Sequence, residues 1–316
     1  MESNKKLRLH AVARREQRAA YLFLIPALLG LSLITYLPLL AAFGIGFTDL
    51  RVAHFMPNNP PPLQFVGFKN FIDIFTNPSI NILNSIKVTI YFALLAVVGS
   101  IVYSMFIAVL LNRKVPGRAF FRAIFYVPHI LPAASVMISW YFLLLDNGVI
   151  NYIISQFGFE RVKFLDNIYT VMPTLALISV WTCGNLIVIF LAGLQNVPRV
   201  YHEAAEIDGA NSWQRFWRIT IPCMTPIIFY NLLMSLVINL QVVVPALAIT
   251  KGGPGGPGQG ATRFMSYSMY QIAFINGEFG RAGAVAFVFF VVAAVFAFIL
   301  FATSKRWIFY QGDEKK

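Results

Sequence analysis

The stretch Pro198-Arg199-Val200-Tyr201-His202-Glu203-Ala204-Ala205-Glu206-Ile207-Asp208-Gly209-Ala210-Asn211-Ser212-Trp213-Gln214-Arg215-Phe216 is a polar, helix-forming interruption between two long apolar runs. Pro198 suits a first helical turn, because its φ is already set for a helix. Strong helix formers follow between Tyr201 and Asp208. Gly209 suits the left-handed position that ends a helix. Asn211 with Gln214 three residues later forms a capping-box pattern that opens a second helix. The predicted unit is a short helix, a glycine turn and a helix that runs into the next apolar segment. Ala204 and Ala205 have little bulk, so another protein's backbone could approach closely, and Glu203 and Asp208 flank them as charged handles. A solvated amphipathic connector lying on lipid headgroups would carry the same pattern.

The flanking runs set the fold class. Of 316 residues, 58% are hydrophobic and 12% charged, against about 25% charged in soluble chains. Several apolar runs exceed the roughly 18 residues needed to cross a bilayer. Six spans are read at 21–47, 83–111, 123–145, 170–194, 222–250 and 282–302. The first apolar run is longer than the about 7–15 residues of a signal-peptide core, so a retained signal-anchor is expected. The chain reads as an all-α integral membrane protein with six transmembrane helices. One membrane domain covers 21–304, with the polar connection at 198–218 between the fourth and fifth spans and short tails at 1–20 and 305–316. Pro128, Pro132, Pro173 and Pro245 interrupt spans, which neighbouring helices allow.

Charge placement gives the orientation. Of the 25 Lys and Arg residues, 17 fall in the N-terminal tail, the second-to-third connection, the fourth-to-fifth connection and the C-terminal tail. Arg113, Lys114, Arg118 and Arg122 make up the second of these groups. The positive-inside rule then puts both termini in the cytoplasm, in a cytoplasmic (inner) membrane crossed several times. The net charge of +12 is a topology signal and an attraction to anionic lipid, not a nucleic-acid footprint. Cys183 and Cys223 offer no disulfide framework or metal spacing and read as small buried hydrophobes.

Absences sort the function classes. No Gly-x-x-x-x-Gly-Lys-Ser/Thr, His-Glu-x-x-His or Gly-x-Ser-x-Gly occurs. The chain therefore reads as non-catalytic, with no cofactor of its own. No Asp or Glu stands in the middle of a span, where ion-coupled carriers place ionisable groups. Transport through this chain is then either passive or driven by a partner. A passive channel, a multi-span scaffold and an intramembrane enzyme are the rivals, and the last lacks a visible catalytic dyad.

Glu203-Ala204-Ala205, then Asp208-Gly209-Ala210, then Phe216, Ile219 and Pro222 resemble the EAA loop of ABC-importer permeases. That resemblance implies a type I importer fold in which Glu203, Ala204, Ala205, Asp208, Gly209 and Ala210 dock a separate ATPase as a coupling helix. It also implies partners: two copies of an ATP-binding subunit holding ATP and magnesium, a second unlike permease and an extracytoplasmic sugar-binding protein. Further segments are similar to the carbohydrate branch, the maltose and glycerol-phosphate importers, and to the first of their two permeases. They are 21–27, 47–49, Phe65-Val66-Gly67-Phe68-Lys69-Asn70-Phe71, 148–151, 191–195 and 250–254. An added Gly-Gly-Pro-Gly-Gln-Gly at 255–260 departs from that pattern.

A sugar needs hydrogen-bonding groups at membrane depth, and polar residues there flag a pathway. Ser235 and Asn239 lie four apart on one helix face, with Asn231 a turn earlier, while Gln241 points elsewhere. Ser235 and Asn239 also fall where the maltose-type permease presents a Ser and an Asn; Val242 replaces a further polar position. Ser179, Trp181 and Asn185 are candidates in the fourth span. The same groups could simply bond neighbouring helices. An anionic ligand calls for basic residues, and the spans offer only Lys87. A neutral sugar is therefore favoured over glycerol phosphate, a polyol or an acidic oligosaccharide.

Overall fold

The structure, a computed structural model, describes residues 17, 20–57, 60–113, 116–253 and 260–309. Most of the two expected tails, and the added Gly/Pro stretch apart from Gly260, lie outside the described residues. Hydrocarbon offers no hydrogen bonds, so a chain this apolar must satisfy its backbone within helices. In order these are α1 (Ala20–Ile45), α2 (Lys69–Thr76), α3 (Ile82–Asn112), α4 (Arg118–Ile130), α5 (Ala133–Leu144), α6 (Val149–Gln156) and α7 (Val171–Trp181). They continue with α8 (Gly184–Asn196), α9 (Arg199–Ile207), α10 (Ser212–Leu240), α11 (Met265–Tyr270) and α12 (Phe279–Trp307). Among the described residues, five helical stretches are long and apolar enough to span: α1, α3, Ala133–Gln156, α10 and α12. The pair α7 and α8, bent by 50°, makes a sixth.

Three spans differ from the hydropathy reading. The expected third span, 123–145, is two helices, and the stretch apolar and long enough to cross is Ala133–Gln156. Leu131 is extended, at φ −68° and ψ 142°, because the residue before a proline avoids the helical region. Pro132 then caps α5. The expected fifth span, 222–250, starts ten residues earlier, at Ser212, and ends at Leu240. Residues Ala246–Thr250 form a separate turn behind Pro245. The fourth span breaks at Thr182 and Cys183. Hydropathy averages over such breaks and cannot register them.

Helix α3 is the spine. Ser85, Thr89, Ala93, Ala96, Ser100, Ser104 and Ala108 are all buried along it. Small residues let helices approach closely where lipid supplies no hydrophobic drive. Ser85 and Ser268 hydroxyls pair at 2.8 Å. Thr89 Oγ1 donates to the Ser85 carbonyl at 2.7 Å and accepts from the Met265 backbone N–H at 2.9 Å. Around the spine, Phe92, Leu175 and Phe264 fill one part of the core, and Ile107, Phe190 and Met224 fill another.

A clasp closes the end of the bundle where α1 meets α2 and α12. Asn70 Nδ2 donates to the carbonyls of Gly46, at 2.9 Å, and Thr48, at 2.7 Å. Arg281 reaches both Asp73, at 3.1 Å, and Glu278, at 2.8 Å. Phe47, Phe65, Phe68 and Phe71 cluster beside it. Two of the segments that resemble carbohydrate permeases, 47–49 and Phe65–Phe71, are thus the halves of one structural fastener.

At the break in the fourth span, α4 crosses α8 at Gly184. A Cβ there would lie 2.7 Å from the Phe125 carbonyl oxygen and 3.0 Å from Tyr126 Cα. Backbone cannot yield as a flexible side chain can. Gly184→Val is therefore expected to destabilise the purified chain by about 1–3 kcal/mol, the usual cost of overpacking. A thermal melt in detergent reads this, with Ala192→Val on the exposed face of α8 as the control expected to change little.

Candidate functional site

The polar connection folds as the sequence indicates. Pro198 sits at the N-cap rather than inside the first turn, and α9 follows. Gly209 has φ +78°. Its N–H donates to the Glu206 carbonyl at 3.0 Å, and the Ala210 N–H donates to the Ala205 carbonyl at 2.8 Å. That pair of bonds is a Schellman closure. Asn211 and Gln214 exchange the two capping-box bonds, each 2.9 Å. Arg215 pairs with Glu206 across the turn. The helical hairpin is thereby fixed at its bend by four backbone-directed bonds and one ion pair.

Its outward face is exposed and mixes apolar residues with a carboxylate. Val200, Glu203, Ala204 and Ile207 recur at helical spacing and are exposed, Ile207 to 88%. Ala204 points out, whereas Ala205 is half-buried. Glu203 and Asp208 make no ion pair among the described residues. Ala205, Asp208, Gly209 and Ala210 line a hollow of about 430 Å³ together with Gln214, Arg218 and Ile219. All six residues singled out for docking therefore lie on one contiguous protrusion. Exposed apolar surface is a mark of protein and membrane contacts alike.

The candidate ligand residues divide. Ser179 Oγ donates to Asn239 Oδ1 at 2.8 Å. Asn239 Nδ2 donates to the Ser235 carbonyl at 2.8 Å and to Ser235 Oγ at 3.2 Å. The fourth and fifth spans are thus tied by a polar trio in which Ser235 and Asn239 are buried. Trp181, at the break, is 39% exposed. Its ring meets Trp140 edge-on at 5.5 Å, a neighbour that sequence spacing alone could not supply. Asn185 is half-buried with no hydrogen bond among the described residues. Gln241 caps the end of α10 on another face and is exposed. Asn231 is fully buried and donates to the Leu186 carbonyl at 3.4 Å, while its own oxygen has no partner among the described residues. Lys87 is exposed near the N-terminal end of α3. Arg263, half-buried in the connection before α11, has its pKa lowered by burial, while burial raises that of neighbouring Tyr267.

The shape and the sequence both have known counterparts. A family model described as "Binding-protein-dependent transport system inner membrane component" matches residues 100–310. The chain belongs to that family. It is 36% identical to a probable ABC transporter permease protein, YesP, of Bacillus subtilis, over 96% of this chain and 95% of that one. It is 28% identical to the trehalose/maltose transport system permease protein MalF of Thermococcus litoralis, over 90% and 93%. Its fold matches a chain of a bacterial ABC transporter involved in the import of the acidic polysaccharide alginate. There the TM-score is 0.75 at 23% identity, covering 95% of this chain and 99% of the other. The fold is that of a type I ABC-importer permease, a multi-pass membrane protein. The ABC-permease resemblance read from Glu203–Ala210 agrees with the family match.

Gly209 gives a direct test of the hairpin. Left-handed backbone costs an L-residue about 1–2 kcal/mol. Space is not the issue, because no atom lies within 4 Å of a Cβ built there. Gly209→Ala is expected to loosen 199–210 and Gly209→Asn much less. Amide hydrogen exchange over the loop reads the difference.

Proposed function

We propose that this chain is one of two unlike pore-forming subunits of an importer that moves a sugar or oligosaccharide across the cytoplasmic membrane. Work is done by a separate ATPase, two copies of which hold ATP and magnesium. An extracytoplasmic binding protein delivers the substrate, and both termini of this chain are cytoplasmic. The observation that carries the reading is the rigid hairpin at 198–218 with its exposed apolar stripe and uncompensated Glu203 and Asp208. The trehalose/maltose permease supports the substrate class by its name, as does the multiple sugar-binding transport permease MsmF of Streptococcus mutans, 31% identical over 77% of this chain. The chain itself needs no catalytic residue.

In mechanism, ATP binding draws the two ATPase subunits together. Each grips a coupling helix, and the displacement must reach the spans without being absorbed in the loop. The closures at Gly209 and at Asn211–Gln214 supply that stiffness, and α10 carries the motion into the membrane as one helix from Ser212 to Leu240. Ser235 and Asn239 lie near its far end, in the trio shared with Ser179. Tilting α10 against the fourth span opens that trio and frees the Asn239 amide for substrate hydroxyls. Trp181 offers an aromatic face beside it. Nucleotide drives this only through unequal affinity for the two states.

Glu203→Ala and Gly209→Pro are expected to insert and assemble normally yet lower substrate-stimulated ATPase activity and uptake about tenfold or more. Normal transport by both variants would contradict the docking role. Asn239→Ala is expected to cost only about 0.6 kcal/mol of stability, typical of a hydrogen bond between membrane helices. Its uptake is expected to fall at least tenfold if the trio binds substrate. An uptake loss no larger than the drop in folded protein would make the trio purely structural.

A further inference from the structure

A hollow of about 910 Å³ lies between α3 and the start of α10, and the candidate substrate residues have no part in it. On α3 its wall is Val102, Met105, Phe106 and Val109, one face at helical spacing, and it ends at Arg113 just past the helix. Trp213, Trp217 and Ile221 face them from α10, and His202 of α9 and Arg215 close the end nearest the 198–218 hairpin. Ile228 is the farthest wall residue on α10. Ser235 stands about 10 Å beyond it along the helix, at 1.5 Å per residue.

Depth, aromatic placement and charge together say what fits there. Val102 to Arg113 is about 16 Å of helix, close to half of the roughly 30 Å hydrocarbon thickness. Beyond that depth α3 and α10 close on each other through Ala93, Val97, Leu236 and Leu240. A partner helix crossing the membrane would need an apolar face over the full thickness, whereas this hollow stops midway. Its apolar wall belongs to two stretches long enough to span, Ile82–Asn112 and Ser212–Leu240. At the mouth the Trp213 and Trp217 rings meet edge-on at 5.6 Å and are 69% and 51% exposed. Tryptophan collects in this way at the membrane–water boundary. Arg113 makes no ion pair among the described residues, while Arg215 is bonded to Glu206 and to Ser212 Oγ. Hydrocarbon wall, aromatic collar and cation thus follow one another along a single leaflet, on a side where Val98, Val102 and Phe106 are exposed.

We propose that this hollow binds an anionic phospholipid from the leaflet on the hairpin side. An acyl chain lies along Val102, Phe106 and Val109, the glycerol region sits at the two tryptophans, and the phosphate meets Arg113. Basic pockets between membrane helices take anionic headgroups in this way, and an arginine fork is well matched to phosphate. Because His202 stands on α9 and Trp213 on α10, the same lipid touches both arms of the hairpin as well as α3. It is then a further fastener between hairpin and spine, beside the closures at Gly209 and at Asn211–Gln214. The inference needs only a membrane chain, and it holds whatever substrate the importer moves.

The test places the full chain, purified with its native partners, in phosphatidylcholine vesicles that carry a minor fraction of lipid brominated on its acyl chains. Bromine quenches tryptophan fluorescence on contact. Brominated phosphatidylglycerol is expected to quench with an apparent affinity about fivefold above that of brominated phosphatidylcholine, the advantage that one arginine gives near anionic lipid. W213F/W217F is expected to abolish the difference, which places it at this hollow. R113Q, checked for assembly by size-exclusion chromatography, is expected to lose the preference, and R113K to keep most of it. A readout that needs no variant is salt: the wild-type preference is expected to shrink as salt screens the charge. Equal quenching by the two lipids in wild type overturns the proposal. So does a preference that R113Q keeps or that salt leaves unchanged. Absence of any quenching traceable to Trp213 and Trp217 also overturns it, and assigns the hollow to a neighbouring protein subunit.

Discussion

Close approach of helices to α3 is the constraint on which the rest of this structure depends. In lipid there is no water to expel, so helices associate through packing and through bonds between polar groups. The row from Ser85 to Ala108 supplies both. Its small side chains let the fourth and fifth spans come near, and its hydroxyls reach the elements that cross over it. Thr89 illustrates the economy: one oxygen bonds its own helix and also receives the first N–H of α11. A larger residue along this row would push apart two spans at once, and with them the trio that spans four and five share.

The candidate functional residues sit where the helices stop being regular. The break after Trp181 turns the fourth span by 50°. Backbone at membrane depth tolerates such a break only where protein or a cavity surrounds it. Here Gly184 tucks the restart of the helix against α4, and Trp181, Asn185 and the Ser179–Asn239 bond gather around it. The second irregular place is the 198–218 hairpin, where a left-handed glycine and a capping box replace flexible loop with fixed geometry. A single helix, α10, joins the two places. Force applied at one end of it has a direct mechanical route to the polar trio at the other.

Much of this was legible in the sequence because it is written in short-range terms. Gly209 and the Asn211–Gln214 pair act within five residues, so their roles follow from spacing alone. The four-residue interval of Ser235 and Asn239 likewise gives their shared face. What the sequence hid depends on contacts between distant segments or on a break in an apolar run. Ser179 meeting Asn239 spans 60 residues, and Trp140 meeting Trp181 has no local signature. Pro132 splits a run that hydropathy averages into one span. A contact hidden in the same way joins Arg118 and Arg122 to Gln195. Counted as loop charges, they serve topology; in the fold they begin a helix packed on α8 and share Gln195. The charge count behind the expected orientation could not tell a solvated arginine from a half-buried one.

The central claim is that the membrane chain is one half of a pathway driven from outside itself. A tagged purification from native membranes in mild detergent, with subunit stoichiometry by mass spectrometry, addresses it most directly. The account predicts recovery of one copy of this chain, one second and unlike permease, and two copies of an ATP-binding subunit. Recovery of this chain alone, or as a homo-oligomer without any ATPase, would contradict it and leave the 198–218 hairpin with an exposed face and nothing to meet it.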